Sequence, residues 1–271
     1  MIKSIRIIFL VSFIGLLIGC SPAQTKPPVK IIPSIHLSLG NPSQATTNIN
    51  NPDNYLMIKP QYVLSYNRSK GTANWVSWQL NKSWFGSAER QDNFKPDNSL
   101  PEGWERIKPN AYNGSGYDRG HIAPSADRTR TIEDNTATFL MTNMMPQTPD
   151  NNRNTWGNLE DYSRELVSQG KELYIIAGPY GNKGKLKNLV TIPQSTWKIV
   201  VILDNPGTGL KGITAKTRVI AVNIPNNEQL DNNWKIYRTS VDNIEKLTGY
   251  DFLANVSPNI QRVIESKVDN L

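Results

Sequence analysis

The sequence predicts an α+β fold in a single domain, and three observations carry that prediction. Strand-like runs, rich in β-branched and aromatic residues, outnumber helical patterns. The two kinds do not alternate regularly, which argues against a doubly wound parallel sheet. No internal repeat and no second domain boundary interrupts the body of this 271-residue chain.

At the amino end, Lys3 and Arg6 lead into an apolar run from Ile7 to Ile18, the length of a signal-peptide core and short for a membrane-spanning helix. The run closes on Leu17-Ile18-Gly19-Cys20, and a small residue followed by Cys resembles a bacterial lipoprotein cleavage site. Residues 1–20 therefore read as an export signal. Cys20 is either acylated, anchoring the protein to a membrane, or discarded by ordinary secretory cleavage, and both routes place the product outside the cytoplasm, secreted or periplasmic. Residues 21–54, rich in Pro, Asn, Ser and Thr without periodicity, read as a flexible tether or arm. His36 lies in that stretch and reads as structurally incidental.

Residues 55–271 form the predicted body. Strands are expected at Tyr55–Lys59, Gln61–Tyr66 and Ala73–Leu80, the last two joined as a hairpin through Asn67-Arg68-Ser69-Lys70-Gly71-Thr72. Further strands are expected at Thr138–Met144, Glu172–Ala177, Trp197–Leu203 and Arg218–Ile224. One helix runs from about Asn151 to Ser168, with Trp156, Leu159, Leu166 and Val167 on its apolar side and Gly170 as its stop. Two shorter ones are Val241–Leu247, stopped by Gly249, and Pro258–Ser266.

Composition excludes several classes. With 38% hydrophobic and 20% charged residues the chain is neither a disordered polyelectrolyte nor a multi-span membrane protein. A single Cys excludes an internal disulfide and any thiolate metal cluster, and two His exclude a poly-histidine zinc site. If His36 is set aside, His121 is the one candidate imidazole base of the body. Lys and Arg number 30 against 23 acids, a net +7, and without Lys3 and Arg6 the balance is 28 to 23, or +5. A basic exported chain suits a polyanionic partner, though only weakly, since many proteins carry such a surplus.

The segment Tyr117–Glu165 gathers the groups that phosphodiester chemistry needs. It holds Asp118-Arg119-Gly120-His121, then Asp127, Arg128 and Arg130, and enters the long helix through Pro149-Asp150-Asn151-Asn152-Arg153-Asn154. Neutral imidazole suits a base that takes a proton from water near pH 7. Arginine or a divalent ion supplies positive charge where negative charge develops, and an Asn carboxamide with several waters is an acceptable oxygen site for magnesium. Asn152, Trp156, Glu160 and Arg164 are spaced by four, so on one α-helix they drift only about 120° and share a broad face. Each has a plainer reading: Glu160 and Arg164 as an ordinary i,i+4 pair, Asn152 as a cap, Trp156 as core, Asp-Arg-Gly-His as a turn. On residues alone the segment supports phosphate handling and no more.

Asp118-Arg119-Gly120-His121-Ile122 followed after three residues by Ala126 resembles the signature of the DNA/RNA non-specific endonucleases with a ββα-metal active site. Asn152, Trp156, Leu159, Glu160 and Arg164 fall at that family's spacing, and the likeness, to its secreted sugar-nonspecific members, runs from about Asn51 to the carboxyl end. The resemblance implies a central antiparallel sheet flanked by helices, with His121 on a strand and Asn152 at the start of the metal-bearing helix. It implies His121 as general base, Asn152 as the direct protein ligand of one divalent ion (magnesium, with manganese as the other choice), and Glu160 holding that ion's waters. Arg90 and Arg164 are implied to contact phosphate, and Asp118 and Arg119 to support and orient, with Arg119 also near substrate. The implied activity is hydrolysis of DNA and RNA, single- or double-stranded, to 5′-phosphate ends. A cognate protein inhibitor is a further expectation, because a secreted nuclease endangers its host. Two readings compete with it: a non-catalytic nucleic-acid-binding lipoprotein, and a phosphodiesterase for small nucleotides. The loop Lys183-Gly184-Lys185-Leu186-Lys187 offers a backbone track or an ordinary solvated loop.

Overall fold

Successive strand residues point to opposite faces, so a strand that is apolar at nearly every position must be covered on both sides. The computed structural model, which describes residues 34–271, meets that demand. The expected signal at residues 1–20 and the first part of the 21–54 stretch lie outside the described residues.

In chain order the strands and α-helices are β1 (Tyr55–Ile58), β2 (Val63–Asn67), β3 (Thr72–Leu80), β4 (Asp118–His121), α1 (Ile132–Thr138), β5 (Met144–Gln147), α2 (Trp156–Ser168), β6 (Glu172–Tyr180), β7 (Lys185–Leu186), β8 (Val190–Thr191), β9 (Ser195–Leu203), β10 (Arg218–Pro225), β11 (Arg238–Thr239), α3 (Val241–Thr248) and α4 (Pro258–Glu265). Seven strands form one sheet in the order β1-β2-β3-β6-β9-β10-β11, every neighbouring pair antiparallel. The fold is thus the α+β arrangement expected, with helices against a large antiparallel sheet.

Alternation along the central strands fills two cores. Val76, Trp78, Ile175, Val200, Ile202 and Ile220 face one side, where Trp156, Leu159, Leu166 and Val167 of α2 cover them. Trp75, Ile176, Ile199, Val201 and Ala221 face the other, beneath Val241 and Ile244 of α3, Ile264 of α4 and Phe252. Gly249 ends α3 at φ 73°, a left-handed turn that glycine adopts without strain.

Two expectations are corrected. The first is the tether: from Ser34 onward the chain is part of the domain, which begins about twenty residues before Tyr55. Leu39 and Ala45 are buried in the second core. Thr46 bridges to Tyr55, and the 38–42 stretch is bonded to the carboxyl-terminal region through Asn255 N to Leu39 O and Asp251 N to Pro42 O. The polar composition signals turns held by side chains, as where Asn41 accepts from Ala45 N and donates to Ala45 O. His36 is a buried structural residue here. Its Nδ1 accepts from Gln79 N at 3.0 Å, so its Nε2 carries the proton and donates to Pro60 O at 2.9 Å.

The second correction is the strand expected at Thr138–Met144. Residues 132–138 form α1, whose N-cap Thr131 accepts from Asp134 N, and a 3-10 turn at Met141–Asn143 precedes β5. The buried Asn143 amide enforces that turn by accepting from Ala123 N and donating to Ala123 O and Thr138 O.

Candidate active site

β4 and β5 form a separate antiparallel pair, with Asp118 opposite Gln147 and His121 opposite Met144. The Asp-Arg-Gly-His run is therefore a strand and not a turn. Its glycine is required by space: a Cβ on Gly120 would stand 1.9 Å from Gln147 Oε1. Gln147 is fixed there because its Nε2 donates to Asn151 Oδ1, which ties β5 to the segment leading into α2.

That segment, Asn151–Thr155, is a π-helix, with the Trp156 amide bonding back to Asn151 O. The expected single α-helix over Asn151–Ser168 is thus two pieces, and the spacing by four holds only for Trp156, Glu160 and Arg164. The wider turn sets Asn152 on its own register, and π-turns of this kind gather at functional sites.

Asn152 reaches β4. Its Nδ2 donates to Asp118 Oδ2 at 2.9 Å, while Arg153 grips the same carboxylate through two bonds of 2.7 and 2.8 Å. Burial would raise the Asp118 pKa, but the hydrogen bonds from Arg153 and Asn152 overcome it and hold the carboxyl below the ordinary range. An ionised carboxylate only accepts, so the Asn152 amide must present its nitrogen to Asp118 and its oxygen elsewhere. That oxygen takes no protein hydrogen bond among the described residues.

His121 is 9% exposed, and its Nε2 is buried without a hydrogen-bond partner. Phe139 meets the ring edge-on at 4.8 Å and Phe94 lies at 5.5 Å. The same two rings seat the arginines. Arg90 lies over Phe139 at 5.0 Å and donates to Ser125 Oγ at 2.9 Å, and Arg119 lies over Phe94 at 4.4 Å. Burial, with the positive Arg90 nearby, lowers the His121 pKa to about 3. The imidazole is therefore neutral at neutral pH, the form a general base requires.

The turn after β4 joins this aromatic seat to α2. Asp127, two residues past Ser125, is 2% exposed and accepts from Trp78 Nε1 at 2.9 Å and from Arg164 Nη1 at 3.1 Å. Glu160, one turn before Arg164, does not pair with it; its carboxylate lies 3.5 Å from Lys198 Nζ. Lys198 is 1% exposed, from the middle of β9, and its ammonium sits over the Trp156 ring at 4.0 Å. Burial pushes Glu160 up and Lys198 down, each opposed by the other's charge. The ordinary i,i+4 pair is thus absent, and Trp156 is core and cation seat at once.

Contacts tie the residues singled out from the sequence to β4 and the turn that follows it, in three groups: Arg90, Arg119 and His121 on the phenylalanines, Asn152 on Asp118, Arg164 on Asp127. Of the other charged residues in the signature segment, Arg128 is buried, donating to Gln61 O and Gln79 O, and Arg130 pairs with Asp134. The lysine loop is occupied by its own fold, with Lys183, Lys185 and Lys187 donating to the carbonyls of Asn226, Ser69 and Asn110. Lys198 escaped sequence reasoning, yet it had a signal: a lone cation at a core-facing position of an otherwise apolar strand.

Comparison with known proteins gives the family and the fold. The sequence model of the family described as DNA/RNA non-specific endonuclease matches residues 39–259. A nuclease of Nostoc sp. is 71% identical over 264 residues, covering 96% of this chain and 96% of the relative. Human mitochondrial endonuclease G is 30% identical over 216 residues, 74% of this chain and 70% of that protein. The nuclease of Serratia marcescens is 27% identical over 241 residues, 85% and 84%. Among solved structures, the complex of EndoG with EndoGI aligns at TM-score 0.67 and 24% identity, over 83% of this chain and 94% of that one, a likeness of fold.

Proposed function

The chain belongs to the family of DNA/RNA non-specific endonucleases, hydrolases of nucleic acid, and from that premise we propose that it is an exported, metal-dependent enzyme whose site is the one built on β4, β5 and α2. The observation that carries this reading is the Asn152 amide, held by its nitrogen on Asp118 with its oxygen unclaimed.

A hard divalent cation fits that donor. The family resemblance assigns it magnesium or manganese; the chemistry of an amide oxygen with water completing the shell agrees. Asn152 would be the direct ligand, and Glu160, anchored by Lys198, would hold the ion's waters. When bound, the ion polarises the phosphate and stabilises charge on the departing oxygen. His121 takes the proton from a water, whose oxygen forms the new bond to phosphorus as the bond to the 3′ oxygen breaks; that oxygen takes a proton from solvent, leaving a 5′-phosphate and a 3′-hydroxyl. A bound phosphodiester brings negative charge beside Arg90, which offsets that arginine's effect on His121 and strengthens it as a base. Arg90 and Arg164 contact phosphate, Arg119 lies at the edge of the same surface, and Asp118 orients Asn152. Contacts of this kind read backbone and not sugar or base, so single- and double-stranded DNA and RNA are all substrates, with strong salt dependence.

Export rests on the signal read at residues 1–20, with Cys20 the point of lipid attachment if the protein stays on a membrane. A cognate inhibitor is the remaining partner expected; the EndoG of the aligned structure is bound by one.

The test is a cleavage assay on supercoiled plasmid and single-stranded RNA, with magnesium or chelator, beside His121→Ala. Loss of both substrates that needs metal and His121 supports the reading. Retarded but intact substrates would replace it with a binding protein.

A further inference from the structure

A second group of charges lies on the opposite face of the sheet from α2. Asp242 and Glu245 project from α3, three residues apart, and Glu265 ends α4. One carboxylate oxygen from each lies within 4.8 Å of the other two. Asp251 adds a further negative charge nearby. Among the described residues no lysine or arginine forms an ion pair with any of the three.

Glu265 is the member that demands explanation. It is 6% exposed, and its Oε1 is buried with no hydrogen-bond partner. Gln261 Nε2, one turn earlier on the same helix, donates to Phe252 O at 2.9 Å and only partly offsets the burial of Glu265. A buried carboxylate without a partner is strongly disfavoured, a penalty that either a proton or a cation removes. Glu245 is held in place because its Oε1 accepts from Phe252 N at 2.8 Å.

We propose that Asp242, Glu245 and Glu265 form a structural site for a divalent cation of calcium type, which fastens α3 to α4. Calcium binds six to eight oxygens at about 2.3–2.6 Å in a flexible geometry, and three carboxylate oxygens within 4.8 Å of one another can share one ion of that size. Magnesium demands near-ideal octahedral geometry and gives up its waters reluctantly, so a cluster of three carboxylates suits calcium better. The three acids supply hard anionic oxygens, and their half-exposed rim leaves room for water to complete the shell. Without the ion, burial and the neighbouring Glu245 push Glu265 up to about 8, so it holds a proton at neutral pH and calcium must displace it. The site is independent of the catalytic assignment and shares no residue with it.

Thermal unfolding in calcium and in chelator tests it, on the wild type, Glu265→Gln, Asp242→Asn and Asn152→Ala. Calcium should raise the Tm of wild type and Asn152→Ala by several degrees and leave Glu265→Gln and Asp242→Asn unmoved, both of which retain nucleic-acid cleavage. Calorimetric titration with calcium should show one site lost in the two acid variants and kept in Asn152→Ala. If Glu265→Gln fails to fold, the half-exposed Asp242→Asn decides alone. No calcium shift in the wild type, or a shift that survives in the acid variants, overturns the site and leaves Glu265 as a protonated core residue.

Discussion

Asp118 holds Asn152 by its amide nitrogen, Nδ2 to Oδ2 at 2.9 Å, and thereby decides where the amide oxygen points. Two of the four residues in the Asp-Arg-Gly-His run are thus accounted for by what they do to other residues: Asp118 orients Asn152, and Gly120 makes room for Gln147.

Asp118→Ala should therefore impair a residue it does not replace. With the carboxylate gone, nothing selects the orientation of the Asn152 amide. Manganese affinity should fall about 10–100-fold, the usual cost of losing a partner that orients a ligand. Calorimetric titration measures it, and an unchanged affinity would show that the Asp118 contact does not orient the ligand.

His121→Ala should lower turnover by about 10²–10⁴-fold with little effect on secondary structure. The imidazole itself should resist protonation in the free protein, because burial and Arg90 hold its pKa at about 3. An NMR titration should find the ring neutral down to pH 5. A midpoint near 6.5 would mean that the ring is more hydrated than this geometry allows.

Lys198→Met should destabilise the fold by about 3–5 kcal/mol, since it strands the Glu160 carboxylate against the core. Adding Glu160→Gln should recover part of that loss, because a neutral amide needs no counter-charge. Urea unfolding of the single and double variants reads both effects; a single variant as stable as wild type would mean the pair carries no stability.

His36 should make stability depend on pH. Burial, with Arg128 nearby, lowers its pKa from 6.5 to about 4. The unfolded chain therefore takes up this proton first as pH falls, and stability declines between about pH 6.5 and 4, by up to about 3 kcal/mol. Above 6.5 the contribution is complete. Comparing denaturation midpoints at pH 7.5 and 4.5 for wild type and His36→Gln isolates it, and equal slopes for the two proteins would refute it.

Much of this was legible in the sequence because it depends on local pattern. The strands of the large sheet showed as apolar runs, and α3 showed its glycine stop. His121, Asn152, Glu160 and Arg164 stood out by residue type and spacing. What escaped depends on contacts between distant segments. Lys198 meets Glu160 only because β9 passes beneath α2. Residues 34–54 read as a tether because turns bonded by Asn and Ser have the same composition as disordered chain, and their partners lie far along the sequence. The π-turn at Asn151–Thr155 was hidden because one wider turn barely alters helical periodicity. Thr138–Met144 was misjudged as a strand because its apolar residues bury through a turn that the single side chain of Asn143 imposes.

The early residues bonded to the far end of the chain also set an order of events. Asn255 Nδ2 reaches back 217 residues to Ser38 O, and Leu39 shares a core with Phe252 and Ile264. A chain emerging from a ribosome cannot close that core until α3 and α4 have arrived. Closure so remote in sequence is slow. The second face of the sheet, with Trp75 and Trp197, stays uncovered until α3 and α4 have been made. The arrival of α3 and α4, more than any local element, is the event that makes this domain whole.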